Sequence, residues 1–143
     1  MTTMAEGMFR RALGKQADAN DALRHGRHDV AISNAIETIE FAAKAAFLFL
    51  AVPYPKQHEF KDEQFIALFE HIPEKAKHFN FPRLFVRYKF WTSFYIQAKY
   101  GNEKLNIAAV DLFERDEAEL AIKHATAWTT AVSILALDAG VYI

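Results

Sequence analysis

The sequence predicts an all-α fold, a compact up-and-down helical bundle of about five helices in a single domain over residues 1–143. Three observations carry that expectation. Residues Val30 to Val52 read as one long, nearly all-apolar helix, with Ile32, Ala35, Ile36, Ile39, Ala42, Ala43, Ala46, Phe47 and Leu50 at helical spacing. The stretch Ala45-Ala46-Phe47-Leu48-Phe49-Leu50 is apolar all round, so other helices must surround it. Finally, 52% of the chain is apolar and 13 residues are Phe, enough to build a core at this length.

Each element follows from local signals. Thr3 with Glu6 three residues on is a capping-box signature, which starts a first helix running from Met4 to Leu23. Gly14 interrupts it at a cost of about 1 kcal/mol that packing must offset. Arg24-His25-Gly26-Arg27-His28 is a tight connection, with Gly26 suited to a helix C-terminus. Asp29 is placed as the N-cap of the central rod, and the loop beginning Pro53-Tyr54-Pro55 stops it. Phe65, Leu68, Phe69 and Ile72 recur at i, i+3, i+4 and i+7, a short amphipathic third helix ended by Pro73. Pro82 opens a fourth helix whose stripe is Leu84, Tyr88, Trp91, Tyr95 and Ala98, closed by Tyr100-Gly101-Asn102. Residues 102–114 are irregular, with Ile107 to Val110 expected to be extended. Asp116 and Glu119 cap a fifth helix that turns Leu120, His124, Trp128, Ala131 and Leu135 inward.

Composition narrows the function classes. The formal net charge of −1 supplies no bulk attraction to nucleic acid or membrane, so any such binding needs a local patch. With no cysteine there is no disulfide framework, thiolate nucleophile or Cys-based zinc site. The N-terminal segment lacks the apolar core of a signal peptide, and the longest apolar run, broken by Lys44 and stopped at Pro53, is too short to span a bilayer. A cytoplasmic protein without a membrane anchor is the expectation. There is no Gly-rich phosphate loop, nucleophile elbow or paired Glu-x-x-His for a di-iron bundle, and no cofactor is implied.

Two segments hold the candidate chemistry. Lys75, Lys77, Arg83, Arg87 and Lys89, with His71 and His78, form a basic stretch interleaved with Phe79, Phe81, Phe85, Tyr88 and Trp91. Cations beside stackable rings suit a nucleotide or single-stranded RNA, and a solvated face over a Phe-rich core gives the same pattern. Arg83 and Arg87, at i and i+4, share a helix face. The second segment, Ser93 to Glu103, places Tyr95, Lys99 and Tyr100 where an aromatic helix runs into a loop. Lys99 there either faces a phosphate or complements the helix C-terminus. His58, Glu59, Asp62 and Glu63 invite a metal reading, but acidic residues in a first helical turn follow from the macrodipole alone, so no metal site is assigned. His124, on the buried face of the last helix, reads as a hydrogen-bonded core histidine.

Taken in order, Glu40-x3-Lys44-Ala45, the Pro-x4-His ending at His58, and Tyr95-Ile96-x-x-Lys99-Tyr100-Gly101 resemble the HEPN family, over residues 5 to 137. That resemblance implies a helical nucleotide-binding domain, with Tyr95, Lys99, Tyr100, Lys44 and His58, together with Arg83 and Arg87, as candidate ligand contacts. It also implies a homodimer, and pairing with a small nucleotidyltransferase in a toxin–antitoxin-like system. Two departures stand out. Lys99 and Gly101 occupy the positions of the family's Arg and Pro, and lysine meets a phosphate as a point charge rather than a fork. Ribonucleases of the family use an Arg followed by a His after four to six residues, and no Arg here precedes a His at that spacing. Arg24 and His28 come nearest, with three residues between them, which leaves Arg24, Arg27 and His28 as the only catalytic candidates. The leading reading is therefore a non-catalytic domain binding a nucleotide or RNA phosphate. The alternatives are a helical partner of a nucleotidyltransferase and a metal-independent ribonuclease.

Overall fold

The computed structural model describes residues 1–54 and 60–142, and among them the chain is all-α, with no strand beyond one isolated bridge. The helices are α1 (Met4–Arg24), α2 (His28–Phe49), α3 (Asp62–Phe69), α4 (Phe81–Thr92), α5 (Tyr95–Tyr100) and α6 (Arg115–Asp138). Short 3₁₀ turns at Glu74–Ala76 and Ala109–Asp111 join them.

Caps set the boundaries. Thr3 Oγ1 accepts the Glu6 N–H at 3.1 Å, as the capping signature requires. At the end of α1 the Arg27 N–H donates to the Ala22 carbonyl and the Gly26 N–H to that of Leu23, with Gly26 at φ +71°. This is a Schellman motif, and it turns the chain back so that α1 and α2 form an antiparallel hairpin. Asp29 lies in the first turn of α2 rather than at its cap, which is Arg27. The rod ends at Phe49, three residues short of Val52, because Val52 donates to the Phe47 carbonyl in a second Schellman motif with Ala51 left-handed at φ +54°. Pro53 disfavours helical backbone at Val52, which instead buries its side chain. At α6 the cap lies earlier than Asp116: Glu114 is the N-cap, and Glu117 closes the box.

α2 is the axis of the molecule. It packs along α1 and α6 for much of their length and touches α4 and α5 as well. Its buried Ala31, Ala35, Ala42, Ala43, Ala45 and Ala46 meet α1 and α6, which bury Ala12, Ala19, Ala22, Ala118, Ala121, Ala125 and Ala131. Small side chains let helix backbones approach closely, so dispersion between backbones replaces the bulk of larger residues. By length and composition α6 could cross a membrane. In this fold its apolar side, centred on Trp128 and Val132, is buried in the core instead. Leu120 is exposed, because the buried stripe of α6 runs through Ala118, Ala121 and Ala125 on the adjoining side.

Bulk is concentrated at one end. Beyond the alanine-rich stretch, Phe47 stacks on Phe60 at 4.7 Å, and Phe65 meets Phe85 at 4.1 Å and Trp128 at 6.2 Å between ring centroids. This aromatic cluster seats α3 and α4 on α2 and α6. Two indoles then fix α4 in place: Trp128 Nε1 donates to the Leu84 carbonyl at 2.9 Å, and Trp91 Nε1 to His124 Nδ1 at 2.9 Å.

The helix expected from Pro82 to Tyr100 is two helices. Thr92 and Ser93 hydroxyls donate to the Tyr88 and Phe90 carbonyls at 2.8 and 2.6 Å, and the Phe94 N–H turns back to Trp91 rather than Phe90. Hydroxyls bonded to backbone carbonyls accompany the interruption of the ladder, and α5 restarts at Tyr95. Ile107, expected to be extended with its neighbours, pairs with Asn102 in the isolated bridge, while Ala109–Asp111 turns as a 3₁₀ segment.

Gly101 makes that loop feasible. It sits at φ +79°, ψ −167°, a region almost restricted to glycine, and a Cβ there would strike the Ile107 carbonyl oxygen and lie 2.8 Å from the Ala109 nitrogen. Gly101→Ala is expected to cost about 2–3 kcal/mol in urea unfolding. Ala51→Gly, which relieves a left-handed alanine, should gain up to about 1 kcal/mol. Neutral behaviour at both positions would contradict the backbone account.

Candidate functional site

The chain entering α4 is shaped by Asn80. Its backbone (φ −83°, ψ 83°) makes a tight inverse turn in which the Phe81 N–H donates to the Phe79 carbonyl at 3.0 Å. Its side-chain oxygen accepts the Arg83 N–H at 3.0 Å and caps the helix. Pro82 occupies the first turn, where a missing N–H costs nothing. The result is a rigid start to α4 that carries Arg83 and, one turn on, Arg87.

Opposite them α6 presents Lys123, Thr126 and Thr130. Between the two helices lies a cavity of about 370 Å³, lined by these residues together with His78 and Phe79. Several cations elsewhere are paired: Lys15 with Glu37, Arg24 and Arg27 with Asp21, Lys77 with Glu74, Lys89 with Asp62 and Arg115 with Glu119. Among the described residues Arg83, Arg87 and Lys123 have no carboxylate partner. Three unpaired cations around one hollow form an anion-attracting site.

His124 lies behind this wall, half-buried and bonded to Trp91. The indole N–H is a donor only, so His124 Nδ1 must be the unprotonated acceptor. Burial, followed by the nearby positive charges of Arg87 and Lys123, pulls its pKa down to about 4. His124 is therefore neutral at pH 7, a fixed part of the scaffold.

A family model described as the HEPN domain matches residues 5–135, nearly the whole chain. The chain belongs to the HEPN domain family. No curated protein and no solved structure gives a significant match to it.

Within this HEPN domain the candidate residues fall into separate groups. Arg83 and Arg87 share the α4–α6 cavity. Tyr95 and Lys99 belong to a polar network on the far side of the helix break. There the Tyr95 hydroxyl donates to Glu37 Oε1 at 3.1 Å and accepts from Lys99 Nζ at 3.1 Å, while Lys15 holds the other Glu37 oxygen at 3.0 Å. The hydrogen bond to Tyr95 raises the pKa of Lys99. Tyr100 is exposed, with its ring centroid 6.0 Å from the Lys99 ammonium. Lys44 is half-buried on α2, with its ammonium 5.7 Å from the Phe41 ring. Arg24 and Arg27 both turn to Asp21, at 3.3 and 3.7 Å, beside half-buried His28 at the start of α2. His58 lies outside the described residues. No cluster that could hold a metal occurs among the described residues.

The α6 half of the cavity is what sequence reasoning missed. Lys123, Thr126, Ala127 and Thr130 fall at i, i+3, i+4 and i+7, a partly polar stripe bordering the buried face. Spacing alone gives no sign that it would meet arginines some forty residues earlier.

The neutrality of His124 has a pH consequence. Its folded pKa, about 4, is below the ordinary histidine value of 6.5, so between these values the unfolded chain binds more protons. Stability should therefore fall as pH drops from 6.5 towards 4 and be unaffected by this group above 7. Allowing for solvent screening at a half-exposed site, the loss between pH 7 and pH 5 is about 1 kcal/mol. Urea midpoints should show His124→Gln losing less over that interval than the wild type; parallel losses would contradict the assignment.

Proposed function

We propose that this HEPN domain binds a phosphate group of a nucleotide or of RNA in the α4–α6 cavity and holds it without cleaving it. The observation that carries this reading is the set of three uncompensated cations, Arg83, Arg87 and Lys123, around one hollow. Two guanidinium groups one helical turn apart offer forked donors to phosphate oxygens, and Lys123 adds a point charge. The Thr126 and Thr130 hydroxyls supply neutral donors at the same rim. A non-catalytic role accords with the absence of the Arg-x4-6-His spacing from the sequence and with the commitment of His124 Nδ1 to Trp91. The ribonuclease alternative built on Arg24 and Arg27 loses support because Asp21 occupies both arginines.

Calorimetry with pyrophosphate, ATP, GTP and short RNAs tests the proposal. Arg87→Ala should weaken binding by roughly ten- to a hundredfold, the range for a lost charge-assisted hydrogen bond. The salt dependence should become shallower by about one unit of log–log slope for RNA. Absence of binding at millimolar ligand, or full affinity in Arg87→Ala, would count against it.

A second reading, pairing with a nucleotidyltransferase or a second copy in a toxin–antitoxin-like system, is favoured by a different observation. Val86 and Phe90 are exposed one turn apart on α4. Apolar side chains displayed together suit a protein contact. If so, Phe90→Ser should abolish co-purification with a nucleotidyltransferase, or the dimer seen by light scattering, without loss of helicity. Unchanged association in Phe90→Ser would remove the reading.

A further inference from the structure

A second cavity, of about 280 Å³, adjoins the cationic one and is lined by Phe69, Ile72, Lys77, Phe79, Phe81 and Pro82. Phe79 lines both hollows. Their chemistries are opposite. In the first, the cations lack carboxylates; in the second, the one cation, Lys77, is held by Glu74 at 3.1 Å. What remains there is rings and aliphatic surface, with no other side-chain hydrogen-bonding group in the lining.

We infer that Phe79 divides a two-part site: the α4–α6 cavity takes phosphate, and the Phe-lined hollow takes a nucleobase tethered to it, held by stacking and without regard to which base it is. This rests on the phosphate reading above and deepens it. The wall between the subsites is well supported. The Phe79 ring packs against His78 with centroids 4.2 Å apart, and the Phe79 carbonyl is fixed by the tight turn at Asn80. An apolar hollow opening beside three cations suits an anion that carries a flat, poorly hydrated group, and a nucleotide has that architecture. Because every base has a π-face and only donors or acceptors tell the bases apart, a pocket of this lining recognises that a ring is present and not its identity. The same lining gives a free polyphosphate no additional contact.

The experiment compares tripolyphosphate, which carries at least as much charge, with ATP, GTP, CTP and UTP on the wild-type protein by calorimetry. The four nucleotides should bind roughly five- to a hundredfold more tightly than tripolyphosphate, the range for one stacked base, and lie within a few-fold of one another. Phe69→Leu, which removes a ring from the apolar hollow and does not touch the lining of the cationic one, should reduce that advantage and leave tripolyphosphate affinity unchanged. Tripolyphosphate binding as tightly as the nucleotides, or a strong preference for one base, overturns the two-part site while the phosphate reading stands. Equal loss of all ligands in Phe69→Leu also overturns it. Failure of every ligand to bind overturns the phosphate reading and this inference together.

Discussion

The buried hydrogen bond from Trp128 to the Leu84 carbonyl fixes the relation between α4 and α6, and the candidate site exists only because of that relation. Trp128 is fully buried, so its N–H must find an acceptor inside the protein; left unpaired it would cost about 1–3 kcal/mol. In this fold it is satisfied by the Leu84 carbonyl, in the first turn of α4. Trp91 and His124 repeat the device nearer the other end of α4. Between these two bonds α4 cannot slide or rotate freely, and Arg83 and Arg87 are held facing Lys123.

Behind that clamp stands the alanine-rich axis. α2 brings α1 and α6 close because small residues line all three, and the space saved there is taken up by the aromatic cluster around Phe47, Phe60 and Phe65. The division has a functional consequence. Concave surface occurs where the short elements ride on the long helices: at α4 on α6, at the apolar hollow beside Phe79 and at the loop after α5. The hollow between α4 and α6 brings three cations, Arg83, Arg87 and Lys123, to one place.

Much of this was legible in the sequence. Thr3 and Glu6, Gly26, and the stripe from Ile32 to Phe47 each have a local cause, and each appears where its pattern places it. The errors also have local causes. The stripe Leu84–Tyr88–Trp91 continues through Tyr95 and Ala98 at helical spacing, so nothing in the apolar pattern marks the break. At the break the Thr92 and Ser93 hydroxyls bond backbone carbonyls and the Phe94 N–H turns back to Trp91, local geometry that hydrophobic periodicity does not register. The left-handed Ala51 was hidden for a related reason, since a Schellman cap normally announces itself with glycine. For the site, Arg83 and Arg87 could be singled out because they share one helix face. Lys123 and the threonines could not, because their partnership with α4 is a property of tertiary docking. Nor does a charge count reveal that Asp21, Asp62 and Glu74 silence other cations while leaving these three free.

The chain is a HEPN domain with a helical scaffold, and its own side-chain pairings decide where positive charge is left on it. Lys99 is drawn into a network with Tyr95, near Glu37 and Lys15, that ties α5 to the long helices. Three cations without a carboxylate partner among the described residues instead line one cavity between α4 and α6. The most direct test of that claim is a ¹H–¹⁵N chemical-shift titration of the folded protein with pyrophosphate. The account predicts that the perturbed amides cluster in residues 78–87 and 123–130. Perturbations centred on residues 95–100, with the α4–α6 amides unmoved, would contradict it.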